Sequence, residues 1–467
     1  MLFSSISFLY YFLPIVLALY FATPMPKGKT TLRNCVLLVA STVFYAWGEP
    51  RYLFLIYLQI LSGWLFGLLI ERLQGYIESK IALLVSIAVG LGALMCFKYS
   101  DFFISNINAL TGMNIPLLKL SLPVGISFYT FQIMSYNIDI YNGKTTAERN
   151  LATLATYITF FPRLMAGPIV RYADIEPELK SRRYSIEEFA KGAGRLIAGL
   201  AKKVLLSNVM AELVTILKTG GENSLLAGWL GAIAYGFQVY FDFSGYSDMA
   251  IGMGLMFGFH ILENFNYPFI SKSITDFWRR WHISLSFWFR DYIYIPLGGN
   301  RRHQTLNLLV VWFLTGFWHG AGWNYMAWGM YFGLLLLVEK FLLAKILERL
   351  PAFLQHIYAL FVVTVSWAIF DSTSLAEISS RLGLMFGVGI DALAGPQSLY
   401  YLRSYIVPLC MAALGVTTLP KTLFGRLEEK APAVLTVAQP VIAALLLLLT
   451  TAYIVDGSFN PFIYFKF

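Results

Sequence analysis

The chain has 467 residues, of which 58% are hydrophobic and 13% are charged. Because a soluble domain carries roughly 25% charged residues, this composition excludes a disordered, a fibrous and an ordinary soluble protein. The net charge of +9 comes from Lys and Arg in short clusters between apolar runs. That distribution is typical of a multi-span membrane protein and speaks against nucleic-acid binding.

The predicted elements, in chain order, are twelve mostly apolar runs. Backbone in lipid must satisfy its own hydrogen bonds, so each run predicts a membrane helix. The runs are 5–22, 31–47, 52–70, 81–97, 121–141, 190–217, 225–243, 305–318, 323–343, 354–370, 399–418 and 434–455. Two further apolar segments, 150–168 and 246–262, contain prolines and charged residues and predict re-entrant or partly buried helices.

The basic residues predict how these runs are oriented. Lys27, Lys29 and Arg33 follow the first run, and a larger basic cluster occupies 272–303. Positive loops face the cytoplasm, so we expect both of these loops inside and the N-terminus outside. Twelve spans then return the C-terminus to the outside.

His319 is the first candidate for chemistry. It lies in TGFWHGAGWNY, directly after the predicted span 305–318. A run of that length rises roughly 21 Å, so we expect His319 deep in the membrane, where small neighbours (Gly320, Ala321 and Gly322) leave room for a substrate. A neutral histidine suits acid–base chemistry. The alternative is a hydrogen-bonded histidine at a helix-packing turn.

His282 is the second candidate. It lies in SITDFWRRWHISLSFWFRDYIYIPLGG, which as one continuous helix pairs Asp276 with Arg280 and places Trp278 and His282 on one face. Aromatic residues interleaved with arginines predict an interfacial amphipathic helix on the cytoplasmic side. Membrane anchoring alone is the alternative. We expect His260 to be structural, His303 to be solvated and His356 to be interfacial.

These motifs carry a resemblance. The segment 276–299, followed by FWHG at 317–320, resembles the signature of the membrane-bound O-acyltransferase family. MLFSSISFLYYFLP at the start, LPVGISFYTFQ at 122–132, FFPRLMAGPIVR at 160–171 and FDFSGYSDMAIG at 241–252 are similar to its bacterial branch that acetylates exopolysaccharides such as alginate. The resemblance covers essentially the whole chain.

The resemblance implies an all-α polytopic membrane protein, a single domain of about 11–12 irregular helices with re-entrant and amphipathic helices around a central tunnel. It implies His319 as the catalytic histidine and His282 as the second active-site residue. It further implies acetyl-CoA as the cytoplasmic acyl donor, an SGNH-type acetyltransferase as the partner outside, and a place in the cell inner membrane.

The residues agree with such chemistry. A neutral imidazole can take the proton of a hydroxyl that attacks a thioester, and no metal-binding spacing is present. Four arginines at the cytoplasmic loop are candidates for binding the CoA phosphates, although plain positive-inside loops are an equal alternative: Arg279, Arg280, Arg301 and Arg302. A transporter or flippase for a lipid-linked sugar, without acyl chemistry, is the competing function.

The last predicted element is the aromatic tail GSFNPFIYFKF at 457–467. Its aromatic residues predict either an interfacial belt or docking into an apolar outer funnel. FIYFKF resembles a C-terminal motif of this acylation system, in which the tyrosine is proposed to carry the acyl group. The resemblance thus implies Tyr464 as an acyl carrier that His319 activates.

Overall fold

The computed structural model describes residues 2–26 and 29–457. Among these residues, β-structure is confined to one isolated bridge between Ser224 and Ala392. The rest of the regular structure is helical, which confirms the predicted all-α fold class.

The described residues form 23 α-helices. The first twelve are α1 Leu13–Ala22, α2 Thr31–Gly48, α3 Leu53–Arg72, α4 Ile77–Leu94, α5 Ser100–Thr111, α6 Ile126–Tyr141, α7 Leu151–Thr159, α8 Phe161–Leu164, α9 Tyr172–Lys180, α10 Ile186–Ala201, α11 Asn208–Thr219 and α12 Leu225–Met256. The next eleven are α13 Ile274–Arg280, α14 Ile283–Phe289, α15 Gln304–His319, α16 Trp323–Val338, α17 Ala344–Arg349, α18 Ala352–Phe370, α19 Leu375–Met385, α20 Pro396–Ser404, α21 Ile406–Gly415, α22 Leu419–Lys430 and α23 Pro432–Val455.

Short π-helical stretches precede, extend or join several of these helices. They lie at Ser7–Phe12, Met95–Tyr99, Lys202–Ser207, Arg290–Tyr294 and Glu339–Leu343. A π-helical turn adds one residue to the hydrogen-bonded ring and often marks a functional site. Two of these five stretches, those that begin at Arg290 and Glu339, lie next to the cavity described below.

The helices belong to two compact units. Among the described residues, the first contains 2–26, 29–196 and 247–262, and the second contains 197–246 and 263–457. In the first unit, His260 joins α9 to α10: its Nδ1 lies 2.7 Å from Glu178 Oε1 and its Nε2 lies 3.2 Å from Glu188 Oε1. Hydrogen bonding to Glu178 raises the pKa of His260 above its ordinary value. These contacts agree with the structural role expected of His260.

The predicted spans correspond to helices, but few of those helices are long and unbroken. Four in the described chain are long and apolar enough to cross a membrane: Pro50–Arg72, Ile77–Thr111, Ala352–Phe370 and Pro432–Val455. A fifth is obtained if α21 and α22, which meet at a 65° bend, count as one span. Segment 150–168 is broken and buried as expected. The prediction for 246–262 is wrong in part, because α12 continues without a break to Met256.

In the second unit, α15 and α16 lie with their backbones in contact. A methyl group on Gly316 would collide with the carbonyl oxygen of Tyr325, and one on Gly329 with the carbonyl oxygen of Trp312. Glycine is therefore required at both positions for the two helices to approach this closely. The pair carries His319 at the C-terminal end of α15.

The start of α13 is fixed by two side chains. Ser273 Oγ accepts a hydrogen bond from the Asp276 amide at 3.0 Å. Glu339, only 4% exposed, accepts from the Ile274 amide at 2.7 Å, the Thr275 amide at 2.9 Å and the Thr275 hydroxyl at 2.5 Å. A carboxylate suits the N-terminus of a helix because it satisfies amide groups that have no partner within the helix.

We predict that Glu339→Ala lowers the free energy of unfolding by about 2–3 kcal/mol, because it leaves buried backbone amides without a charged acceptor. The measurement is the midpoint temperature of unfolding of the purified protein in detergent. Glu348→Ala is the control, since Glu348 is exposed. Equal midpoints for the two variants would contradict the anchoring role of Glu339.

Candidate active site

The second unit contains a cavity of about 740 Å³. Its wall contains both candidate histidines, His282 and His319. Six charged side chains also line it, namely Lys272, Arg279, Arg290, Glu339, Lys340 and Glu348, and its apolar wall includes Trp278, Leu285, Phe289, Leu308, Val311 and Trp312. The structure thus brings together His319 at the end of α15 and His282 between α13 and α14.

His319 is the last residue of α15 and is 8% exposed. Its ring packs edge-to-face against Trp318, Trp328 and Phe370, with ring centroids 5.1, 5.1 and 5.4 Å away. These aromatic rings come from α15, α16 and α18. They fix the position of the imidazole while the cavity remains next to it.

The sequence predicted that the glycines after His319 leave room for a substrate, but in the structure they do not. A methyl group on Gly320 would collide with the ring of Tyr325, and one on Gly322 with Oδ1 of Asn324. That space is filled by residues of the following helix. The prediction about Gly320 and Gly322 is therefore wrong: they permit close packing of the turn, and the cavity lies elsewhere around His319.

His282 is 1% exposed and lies at the interruption between two helices. α13 ends at Arg280, α14 begins at Ile283, and His282 between them has φ +45° and ψ +53°. This left-handed conformation is uncommon for a residue with a side chain. The prediction of one continuous helix is wrong here, and so is the shared face of Trp278 and His282, although the Asp276–Arg280 pair is confirmed at 2.8 Å.

Hydrogen bonds define the surroundings of the His282 ring. Nδ1 lies 3.2 Å from Oδ1 of Asn264, while Nε2 has no hydrogen-bond partner among the described residues. Phe243 packs edge-to-face on the ring at 4.6 Å, and Trp318 lies 6.1 Å away. Since Trp318 also packs on His319, one indole contacts both imidazoles.

The four predicted arginines are placed differently from one another. Arg279 lines the cavity. Arg280 donates from Nε to Asp276 at 2.8 Å and from a terminal nitrogen to the Asn266 carbonyl at 3.3 Å. Arg301 and Arg302 lie on the exposed turn before α15 and are not among the residues that line the cavity.

Sequence reasoning missed two residues of this site, Asn264 and Glu339, and included Lys272 only as part of the basic cluster 272–303. Glu339 gave a signal that was overlooked, since a carboxylate within the apolar run 323–343 is costly and often functional. Asn264 gave none, because its partners lie 18 and 20 positions away in the sequence. Tyr464 lies outside the described residues. Within the described part of the chain, no three His, Cys, Asp or Glu side chains are grouped as metal ligands.

The comparisons with known proteins agree with the motifs. The model of the membrane-bound O-acyltransferase family matches residues 4–376. The chain is 41% identical to a probable alginate O-acetylase of Azotobacter vinelandii over 397 residues, which are 83% of this chain and 79% of the relative. A probable alginate O-acetylase of Pseudomonas putida is 38% identical over an alignment of 500 residues, gaps included, that covers 100% of both chains.

A third relative acts on another polymer. The peptidoglycan O-acetyltransferase of Helicobacter pylori is 32% identical over 422 residues, 83% of this chain and 80% of the relative. The family match covers most of the chain, and these relatives cover more than two thirds of it. The chain therefore belongs to the membrane-bound O-acyltransferase family and is an O-acyltransferase enzyme.

Proposed function

We propose that this chain takes an acetyl group from cytoplasmic acetyl-CoA and passes it across the bacterial inner membrane for O-acetylation of an extracytoplasmic polysaccharide. The observation that carries the proposal is the meeting of His282 and His319 in one cavity whose wall also contains Lys272 and Arg279. The names of the relatives, alginate O-acetylase and peptidoglycan O-acetyltransferase, support an acetyl group and a polysaccharide. The proposed partner outside is an SGNH-type acetyltransferase.

The proposed reaction is an acyl transfer with His319 as the base. The imidazole takes the proton of an attacking hydroxyl while the hydroxyl oxygen bonds to the thioester carbonyl carbon. The carbon–sulfur bond then breaks, and the sulfur receives the proton, so that CoA leaves as a thiol. The rings of Trp318, Trp328 and Phe370 pack around the imidazole and leave His319 only 8% exposed, and limited access of water favours transfer over hydrolysis.

The proposed acceptor of the acetyl group is the phenol of Tyr464 in the C-terminal tail. Its ester would be an aryl ester, which is a more activated acyl donor than an alkyl ester. Onward transfer to a serine of the SGNH-type partner is therefore chemically favourable. In this proposal the tail enters the outer end of the tunnel, where His319 removes the phenolic proton.

The cationic part of the cavity wall is the proposed site for the CoA phosphates. The side chains of Lys272 and Arg279 have no carboxylate partner among the described residues, whereas Arg290 Nε lies 2.6 Å from Asp291. Unpaired cations attract phosphate more strongly than paired ones. We therefore propose Arg279 together with Lys272 as the principal phosphate ligands, and Arg280, Arg301 and Arg302 as secondary candidates.

We predict that His319→Ala lowers the rate of acetyl transfer at least about 100-fold, which is the lower limit for loss of a general base. The measurement is transfer of labelled acetyl from acetyl-CoA in proteoliposomes. His303→Ala is the control, because His303 is exposed and does not line the cavity. More than about a tenth of the wild-type rate in His319→Ala would rule out its role as base, and a flippase would show no transfer in the wild type.

We predict that the double substitution Lys272→Ala, Arg279→Ala raises the KM for acetyl-CoA about tenfold, equivalent to about 1.4 kcal/mol. The KM for acetyl-pantetheine, which lacks the phosphates, stays within about twofold. The comparison variant is Arg301→Ala, Arg302→Ala, which removes two of the secondary candidates. An equal rise in the KM for acetyl-CoA and for acetyl-pantetheine would indicate a collapsed cavity. If the KM for acetyl-CoA alone rose, and only in the Arg301→Ala, Arg302→Ala variant, the phosphates would be assigned to the turn that carries these two arginines.

We predict that Tyr464→Phe abolishes acetylation of the exported polysaccharide while the protein remains in the membrane. The substitution keeps the aromatic ring and removes the hydroxyl that would carry the acetyl group. The measurement is the O-acetyl content of the polysaccharide from cells that carry each variant, with Tyr453→Phe as the control. Normal acetylation in Tyr464→Phe would exclude the carrier role and leave the tail as an interfacial belt.

A further inference from the structure

One buried asparagine holds the whole turn that presents His282. Asn264 is 0% exposed, and its carbonyl oxygen accepts a hydrogen bond from the Ile283 amide at 3.0 Å. Its Oδ1 accepts from the Ser284 amide at 3.3 Å and from the Ser284 hydroxyl at 2.9 Å. Hydrogen bonds from Ile283 and Ser284 thus fix the chain immediately after the left-handed residue, so that its uncommon backbone conformation is maintained.

The side-chain oxygen Oδ1 of Asn264 also indicates which nitrogen of the His282 imidazole carries the proton. An amide group can be placed with its oxygen and nitrogen exchanged, and the hydrogen-bond network decides between the two orientations. The backbone amide of Ser284 is an obligatory donor, so the atom it faces is the oxygen of Asn264. That oxygen lies 3.2 Å from Nδ1 of His282. Since an amide oxygen only accepts, Nδ1 of His282 carries the proton.

The other ring nitrogen then has a lone pair. A neutral imidazole has one protonated nitrogen, so a proton on Nδ1 leaves Nε2 as an acceptor. Nε2 of His282 has no partner among the described residues, and the ring lines the cavity. The rings of Phe243 and Trp318 lie edge-to-face with the imidazole at centroid distances of 4.6 and 6.1 Å. The other titratable ring in this part of the cavity wall is His319.

We propose that Asn264 is a positioning residue that fixes the tautomer of His282 and thereby makes Nε2 a hydrogen-bond acceptor for a substrate O–H or N–H group. His282 then does not supply the N–H that would stabilise the developing charge on the thioester oxygen. The inference rests on the proposed function for the identity of the substrate. The tautomer itself does not, so the two are tested separately.

The first experiment reads the tautomer directly. The full-length protein is labelled with ¹⁵N-histidine in a lipid bilayer, and its ¹⁵N chemical shifts are measured by solid-state NMR. The chain has five histidines, so subtraction of the His282→Gln spectrum assigns the pair of signals. We expect a protonated Nδ1 and a bare Nε2 in the wild type, and a changed ratio of tautomers in Asn264→Leu. A protonated Nε2 in the wild type would overturn the proposal, whatever the acyl donor is.

The second experiment separates positioning from folding. Asn264→Leu removes the acceptor, and an imidazole in the wrong tautomer loses much of its catalytic power. We expect kcat to fall at least about tenfold, with the KM for acetyl-CoA unchanged within about twofold. Asn264→Asp retains an acceptor oxygen, and at pH 8 we expect it to retain at least about a third of the wild-type kcat.

The control is Asn137→Leu, because Asn137 is also buried and lies in the first unit, where it donates to Ser86 at 2.6 Å. Both leucine variants can lower the yield of folded protein, so rates are expressed per folded molecule. A wild-type kcat in folded Asn264→Leu would overturn the proposal. So would an Asn264→Asp variant that is folded and as slow as Asn264→Leu. If Asn264→Leu does not fold, the aspartate variant and the wild-type spectrum still decide.

Discussion

A polar group that leaves water needs a hydrogen-bond partner, and an unpaired one costs several kcal/mol. The site of this enzyme depends on that constraint, because the helical structure is interrupted between α13 and α14 and the interruption is buried. Amides at the starts of α13 and α14 are taken up by two residues from elsewhere in the fold. The Glu339 carboxylate accepts from the amides at the start of α13, whereas Asn264 accepts from the Ile283 amide with its backbone carbonyl and from the Ser284 amide with its side-chain oxygen. Removal of the Glu339 carboxylate would take this acceptor from the amides of Ile274 and Thr275, and removal of the Asn264 side chain would take Oδ1 from the Ser284 amide.

Aromatic packing provides the second support. Trp278 packs against Trp312, Trp328 and Phe332 at ring-centroid distances of 4.5, 5.6 and 4.9 Å. Trp328 in turn contacts His319. The short helix α13, fixed at its start by Glu339, is therefore linked through edge-to-face aromatic contacts to the end of α15 that carries His319. The site combines a polar support under His282 with an apolar support around His319, and each suits the place of its histidine in the fold.

The sequence predicted the features that depend on local composition. Apolar runs located the helices, and the FWHG motif located His319 at the end of α15. The family resemblance is confirmed by the comparisons, whereas the roles of Tyr464 and of the arginines stay predictions. The break at His282 was not predicted, because Trp281 and His282 are neither proline nor glycine. It is held by contacts to Asn264, 18 positions away, and the start of α13 is held by Glu339, 65 positions from Ile274. Pairings over such separations leave no periodic pattern in one sequence.

The backbone contact between α15 and α16 has a consequence for the acyl group that the enzyme accepts. With no side chain at Gly316 or Gly329, the two helices cannot move closer, and any larger residue would force them apart and displace His319. The contact therefore fixes the position of α15, whose side chains form part of the cavity wall. Side chains that line the cavity from α14 and α15, such as Leu285 and Leu308, can be changed without altering this backbone contact. Engineering of the range of acyl donors would begin with those positions and leave Gly316 and Gly329 unchanged.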